Sequence, residues 1–111
     1  MIEQTVYDFL RASLDVPCYL MRPENVTAPY VMIEKTGGNV SNHVYRSTFA
    51  FQSYGKDLLE AAELNDMVKE AVEDMIACTE ITGVRYNTDY NFTNTADKKP
   101  RYQTTFDIYH Y

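Results

Sequence analysis

Apolar residues recur along this chain with two periods, and the switches between them mark out its elements. Ile2, Val6, Phe9, Leu10 and Leu14 fall on one face at helical spacing, with Glu3, Asp8 and Arg11 elsewhere, which predicts a short amphipathic helix over about 2–14. Pro17 follows where that helix has ended. Residues 18–21 are a short apolar run and a candidate strand, and Pro23, Asn25 and Pro29 make residues 22–29 a loop. Tyr30-Val31-Met32-Ile33-Glu34 is a compact run of strand formers, and Gly37-Gly38-Asn39 after it reads as a turn. From Val44 to Tyr54 the pattern has period two: Phe49, Phe51 and Ser53 face one way, Thr48, Ala50 and Gln52 the other. Gly55 closes that strand.

Residues 56–77 carry the clearest pattern. Leu58, Ala61, Leu64, Val68, Ala71, Val72 and Met75 return every three or four positions, and acidic residues fill the other faces, so one long helix with an acidic back is expected. Acids at its start suit the positive end of the helix dipole. A strand over 81–86, with a continuation toward Phe92, comes next. Residues 94–100 form a polar loop, and 101–111 alternate again as a final strand. The order is helix, strands, helix, strands, and the connections between neighbouring strands suit hairpins. The expectation is therefore a single α+β domain over 1–111: a mostly antiparallel sheet of about four or five strands with two helices packed on one face.

Composition narrows the function classes. The net charge is −6, which disfavours sequence-independent binding to nucleic acid, because that needs clustered Lys and Arg to displace counterions. An acidic surface lining a channel would instead repel passing DNA. Aromatic content is 14%, mostly ten tyrosines, a residue that suits both half-buried strands and protein interfaces. Cys18 and Cys78 lie far apart with no CxxC spacing, so two free thiols are expected, with no zinc or redox motif. The start, Met1-Ile2-Glu3-Gln4, lacks the basic residues and apolar run of a signal peptide, and no apolar stretch approaches the ~20 residues of a membrane span, so a cytosolic, non-membrane protein is expected.

Candidate chemistry is sparse. His43 and His110 are the only histidines; neither stands beside a serine or cysteine in a known local signature, and there is no GxSxG elbow. Asp89-Tyr90-Asn91-Phe92-Thr93 begins like a calcium loop, but Asn94 and Pro100 occupy the positions that need glycine and glutamate. Gly37-Gly38 lacks the GK[ST] of a phosphate cradle. No catalytic residue, cofactor site or metal site is therefore expected. Lys98, Lys99 and Arg101 form one short basic cluster. It is either a solvated loop tip or a contact for an acidic neighbour, such as the back of the long helix in another copy, and such a head-to-tail contact makes rings when it closes.

Several segments together resemble a known family: Tyr30-Val31-Met32-Ile33-Glu34-Lys35-Thr36-Gly37-Gly38, Phe51-Gln52-Ser53-Tyr54-Gly55 leading into Leu58-Leu59-Glu60-Ala61-Ala62-Glu63-Leu64, Asp89-Tyr90-Asn91-Phe92-Thr93, and Arg101-Tyr102-Gln103-Thr104-Thr105-Phe106-Asp107. The pattern is similar to that of the small neck proteins of Gram-positive prophages, the tail-terminator or tail-completion proteins, some called minor capsid or head–tail joining proteins. The resemblance spans most of the chain and rests on a shared pattern with no single diagnostic motif. It implies a homo-oligomeric ring, typically a hexamer, that caps the tail tube and meets the head connector. DNA would pass through without specific binding, and the location would be the host bacterial cytoplasm during assembly and then the virion. It implies no cofactor and no catalysis. A neighbouring neck role, as head-completion protein or connector, is the alternative, followed by a small ligand-binding domain or enzyme pairing a cysteine with a histidine. By position, the exposed loops over 37–46 and 88–101 are the candidate contact sites. They hold Asn39, His43 and Arg46 in the first, and Tyr90, Phe92, Lys98, Lys99 and Arg101 in the second.

Overall fold

The computed structural model describes all 111 residues. Helix α1 (Ile2–Ser13) buries Ile2, Val6 and Leu10 of the predicted stripe, while Phe9 and, just past the helix, Leu14 are half-buried against the core. Strand β1 (Cys18–Tyr19) follows, then a loop, the long strands β2 (Tyr30–Ser41) and β3 (Val44–Tyr54), and helix α2 (Leu58–Asp74) with a 3-10 turn at Met75–Ala77. Strands β4 (Ile81–Asn91) and β5 (Arg101–His110) complete the chain.

The α+β expectation holds: five strands form one sheet in the order β1-β2-β3-β5-β4. All pairings are antiparallel except β1 with β2, which run parallel. α2 starts where the sequence invites it. Asp57 Oδ1 accepts from the Glu60 backbone N–H at 2.8 Å, and the Glu60 carboxylate accepts from the Lys56 N–H at 2.8 Å. Such a reciprocal cap satisfies two otherwise orphaned donors and contributes about 1 kcal/mol.

One face of the sheet carries the core. Phe49 and Phe51 of β3, Phe106 and Ile108 of β5, and Val31 and Ile33 of β2 pack against Leu64, Val68 and Val72 of α2, and Ile2, Val6 and Leu10 of α1 join the same cluster. The other face has no helix. Its register brings together Gln52 with Gln103 (Nε2–Oε1 2.9 Å) and Thr48 with Asp107 (Oγ1–Oδ1 2.7 Å). Burial pushes the Asp107 carboxyl up, but hydrogen bonds from Thr48 and Asn87 and the charges of Arg46 and Arg85 outweigh it, leaving the group below its usual range.

The structure corrects the expected turn at Gly37-Gly38-Asn39. β2 runs straight through the glycines, with a bulge between Lys35 and Gly37, and the chain reverses only at Asn42 (φ 52°) and His43 (φ 66°). Two successive left-handed residues give the two-residue turn that matches the twist of a hairpin, and asparagine tolerates that conformation. Gly38 allows a close approach: a Cβ there would lie 3.0 Å from the Arg46 carbonyl oxygen, so the facing strand would have to give by a few tenths of an ångström. The first candidate loop is thus the paired end of a hairpin. The second shortens too, because residues 88–91 belong to β4.

Candidate functional site

The eight candidate contact residues divide between the two ends of the sheet. Asn39 and Arg46 face each other across the β2–β3 hairpin, with His43 at its tip. Tyr90, Phe92, Lys98, Lys99 and Arg101 lie at the far end, beside Tyr54. The length of β3 separates the groups, roughly 34 Å at about 3.4 Å per residue, in a molecule 43 Å along its longest axis. They form two surfaces.

At the far end Arg101 is fully engaged within the chain. Its Nε donates to the Phe92 carbonyl at 2.7 Å, its Nη1 donates to the Tyr54 hydroxyl, and its guanidinium stacks 4.7 Å over the Phe92 ring. Tyr90 packs edge-on against Phe92 at 5.5 Å and accepts a hydrogen bond from Gln103. The basic cluster is therefore not one unit. Arg101 braces the base of the loop, and Lys98 and Lys99 remain exposed without ion pairs. Local bonds shape the loop: Asn94 Oδ1 accepts from Ala96 N–H, Asp97 Oδ1 from Lys99 N–H, and Lys98 sits at φ 55°.

At the hairpin end the strand pairing creates a contact that no local motif foretells. Ser47 Oγ and His110 Nε2 lie 2.8 Å apart, and His110 Nδ1 lies 3.2 Å from the Tyr111 carbonyl. The absence of a local signature in the sequence does not prevent this contact, which strand pairing makes across 63 residues. The Tyr111 carbonyl oxygen can only accept, so in a neutral ring Nδ1 would carry the proton and Nε2 would accept from the serine. Ser47 nevertheless lies mid-strand and 2% exposed, paired with Gly38 on one side and Ile108 on the other. Its ladder leaves no pair of free N–H groups to hold an oxyanion, which acyl transfer needs. The pair ties β3 to β5 beneath the Tyr45 ring, which stacks on His110 at 5.5 Å. Neither cysteine bonds a histidine: Cys18 Sγ approaches the Val16 carbonyl, and burial pushes its thiol up to about 11, far from a reactive thiolate.

A third cluster pins the outer strand to the long helix. Asp89 Oδ2 accepts from Lys69 Nζ at 2.8 Å and from Asn65 Nδ2 at 2.9 Å, and Oδ1 accepts from the Tyr86 hydroxyl. The Lys69 ammonium, then the Tyr86 hydroxyl, hold the Asp89 carboxyl below its usual range. A depressed carboxylate stabilises the fold above the unfolded value of 3.8, and this contribution disappears as pH falls through the folded value. Asp89→Asn should cost about 1–3 kcal/mol at neutral pH. It should also flatten the fall of the urea midpoint below pH 4, with the remaining acid sensitivity left to groups such as Asp107. An unchanged acid slope would show that Asp89 is not part of it.

No three His, Cys, Asp or Glu side chains converge on a metal position, and no helix is long and apolar enough to cross a membrane. No protein-family model and no curated protein matches this chain.

Proposed function

We propose that this chain is a structural assembly protein of a long-tailed bacteriophage, a tail terminator that forms a ring at the head-proximal end of the tail tube and joins it to the head connector. The observation that carries this reading is the placement of two exposed polar surfaces at opposite ends of one rigid sheet. A ring subunit between tube and connector needs two such surfaces, facing opposite ways. The hairpin tip with His43 would supply one, and the Lys98-Lys99 loop the other. The family resemblance supplies the identity of the partners. The reading involves no bond-making step, and the Ser47–His110 pair serves it as a strut between strands.

The test uses particles assembled without this protein and polymerising tube protein in vitro. Its absence should give overlong or headless tails, and its addition should halt tube growth and leave a ring at one end by negative-stain imaging. Tails of normal length on heads that leak DNA would point to a head-completion role instead, and normal infectious particles would refute both.

A further inference from the structure

The sheet has two free edges, and they match each other. β4 is the last strand on one side, with its outer backbone rim unpaired along all of Ile81–Asn91. On the other side β1 covers only Val31 and Met32, so the rim of β2 is bare from residue 33 to 41. Natural sheets guard such edges with Pro, charged side chains, bulges or short length. β4 carries Arg85, Asp89 and two bulges, but it has neither Pro nor Lys, spans eleven residues and exposes Tyr86 and Tyr90 by 46% and 41%.

Directions and faces also agree. β2 and β4 run antiparallel to one another, because the strands between them alternate. A second copy placed alongside in the same orientation would therefore set its β2 antiparallel to β4 and continue the alternation. β2 has a one-residue bulge at Thr36, and β4 has two, at Thr82 and Asn87, of which only Asn87 lies within the stretch that would face residues 33–41; each bulge reverses the alternation of side chains. In the register Lys35 opposite Asp89, the two irregularities fall side by side and the faces agree on both sides of them. Lys35 and Asp89 share the helix face. So do Gly38 and Tyr86, and Val40 and Val84, whereas Asn39 and Arg85 share the open face. That register sets an ammonium against a carboxylate, lays the Tyr86 ring over a glycine, and covers Val40, which is 57% exposed. Aromatic–glycine and aliphatic cross-strand pairs of this kind stabilise sheets. The overlap is nine residues on each strand.

We propose that copies of this chain join edge to edge, β4 of one to residues 33–41 of β2 in the next, in the antiparallel register that pairs Lys35 with Asp89. The contact is heterologous, so it repeats from copy to copy and makes a ring where the rotation between copies closes. The inference deepens the ring reading above and rests on it for its closure.

Disulfide trapping tests it. Within one molecule Val40 and Val84 sit three strand spacings apart, about 14 Å at about 4.8 Å each, well beyond the roughly 4.4–6.8 Å that a disulfide spans between Cα atoms. Any bond between them joins two copies. The full-length double variant V40C/V84C, with Cys78→Ser and with buried Cys18 left in place, is oxidised at high protein concentration and resolved on a denaturing, non-reducing gel. A covalent ladder is expected, at least tenfold stronger than for V40C/Y86C, whose pair is two residues out of register on the same face. Thermal melting of both reduced variants confirms that each is folded. Absence of a ladder, or equal ladders in the two variants, would overturn the proposal. If light scattering still reported a ring in that case, the ring reading would stand and only this interface would fall. A register-specific ladder from a protein that leaves tube length unchanged would do the reverse.

Discussion

Phe51→Ala should destabilise the protein by about 3–5 kcal/mol, the usual cost of deleting a fully buried aromatic ring. Phe51 is 0% exposed, stacks with Phe49 at 6.0 Å and meets Phe106 edge-on at 6.2 Å. It stands on the central strand, opposite Ile33 on one side and Thr104 on the other, under the α2 stripe. Its neighbours come from three strands, so no single side chain can swing in to fill the space. The loss is a large part of the ~5–15 kcal/mol that holds a typical domain together, and the melting midpoint should fall by more than about 12 °C. Circular dichroism on heating would measure it. Leu59→Ala on the exposed side of α2, where Leu59 is 70% exposed, serves as the control and should change stability by less than about 0.5 kcal/mol. A small loss at Phe51 would mean that the Phe49–Phe51–Phe106 cluster is not the centre of the core.

The parts of this fold that were legible in the sequence are those where a single period runs unbroken. The α2 stripe is buried from Ala61 to Met75, although its first member, Leu58, stays 43% exposed, and Thr104, Phe106 and Ile108 of β5 and Ile2, Val6 and Leu10 of α1 are buried as expected. Misreadings arose where a residue type has two uses. Glycine marks turns because it reaches left-handed conformations, but Gly37 and Gly38 take ordinary extended ones, and Gly38 serves to let the Arg46 carbonyl come close. The left-handed positions went to Asn42 and His43 instead. Lys98, Lys99 and Arg101 look alike in sequence, yet only Arg101 has aromatic rings and a carbonyl within reach. The clusters that matter to the site were not legible at all. Ser47 and His110 are 63 residues apart, and Lys69 and Asp89 are 20 apart. Strand register and helix placement bring them together, and neither is written in a local spacing. The same holds for the matched edges of β2 and β4, since a bulge is visible only once the strands are paired.

Gly55→Ala should be nearly as damaging as the loss of Phe51, for a reason opposite to a cavity. Gly55 is buried between the end of β3 and the start of α2, and its φ is not positive, so any residue could adopt its backbone conformation. What it lacks is room. A Cβ there would stand 2.4 Å from the Ala61 backbone nitrogen, 2.8 Å from the Asp57 carbonyl oxygen and 2.9 Å from the Ala61 Cα. All three are main-chain atoms of the first turn of α2, held by the Asp57 cap and by the Ala61 N–H bond to the Asp57 carbonyl at 3.1 Å. Relief requires the helix start to move, which opens the cap and lifts Ala61 and Leu64 from the core. Overpacking of a close-packed site costs about 1–3 kcal/mol when side chains can give, and against main chain the upper end or more is expected. The effect should reach the far-end surface as well. The Gly55 N–H donates to the Pro100 carbonyl at 3.1 Å, directly beside Lys99 and Arg101, so a displaced Gly55 would shift the loop that carries Lys98 and Lys99. If the ring contacts one partner through that loop, Gly55→Ala protein that still folds at low temperature should be impaired in halting tube growth, while Lys98→Ala with Lys99→Ala should impair it without lowering the melting midpoint. Equal melting midpoints for Gly55→Ala and wild type would show that the start of α2 yields easily, and that the glycine is not holding the strand and helix at their present spacing.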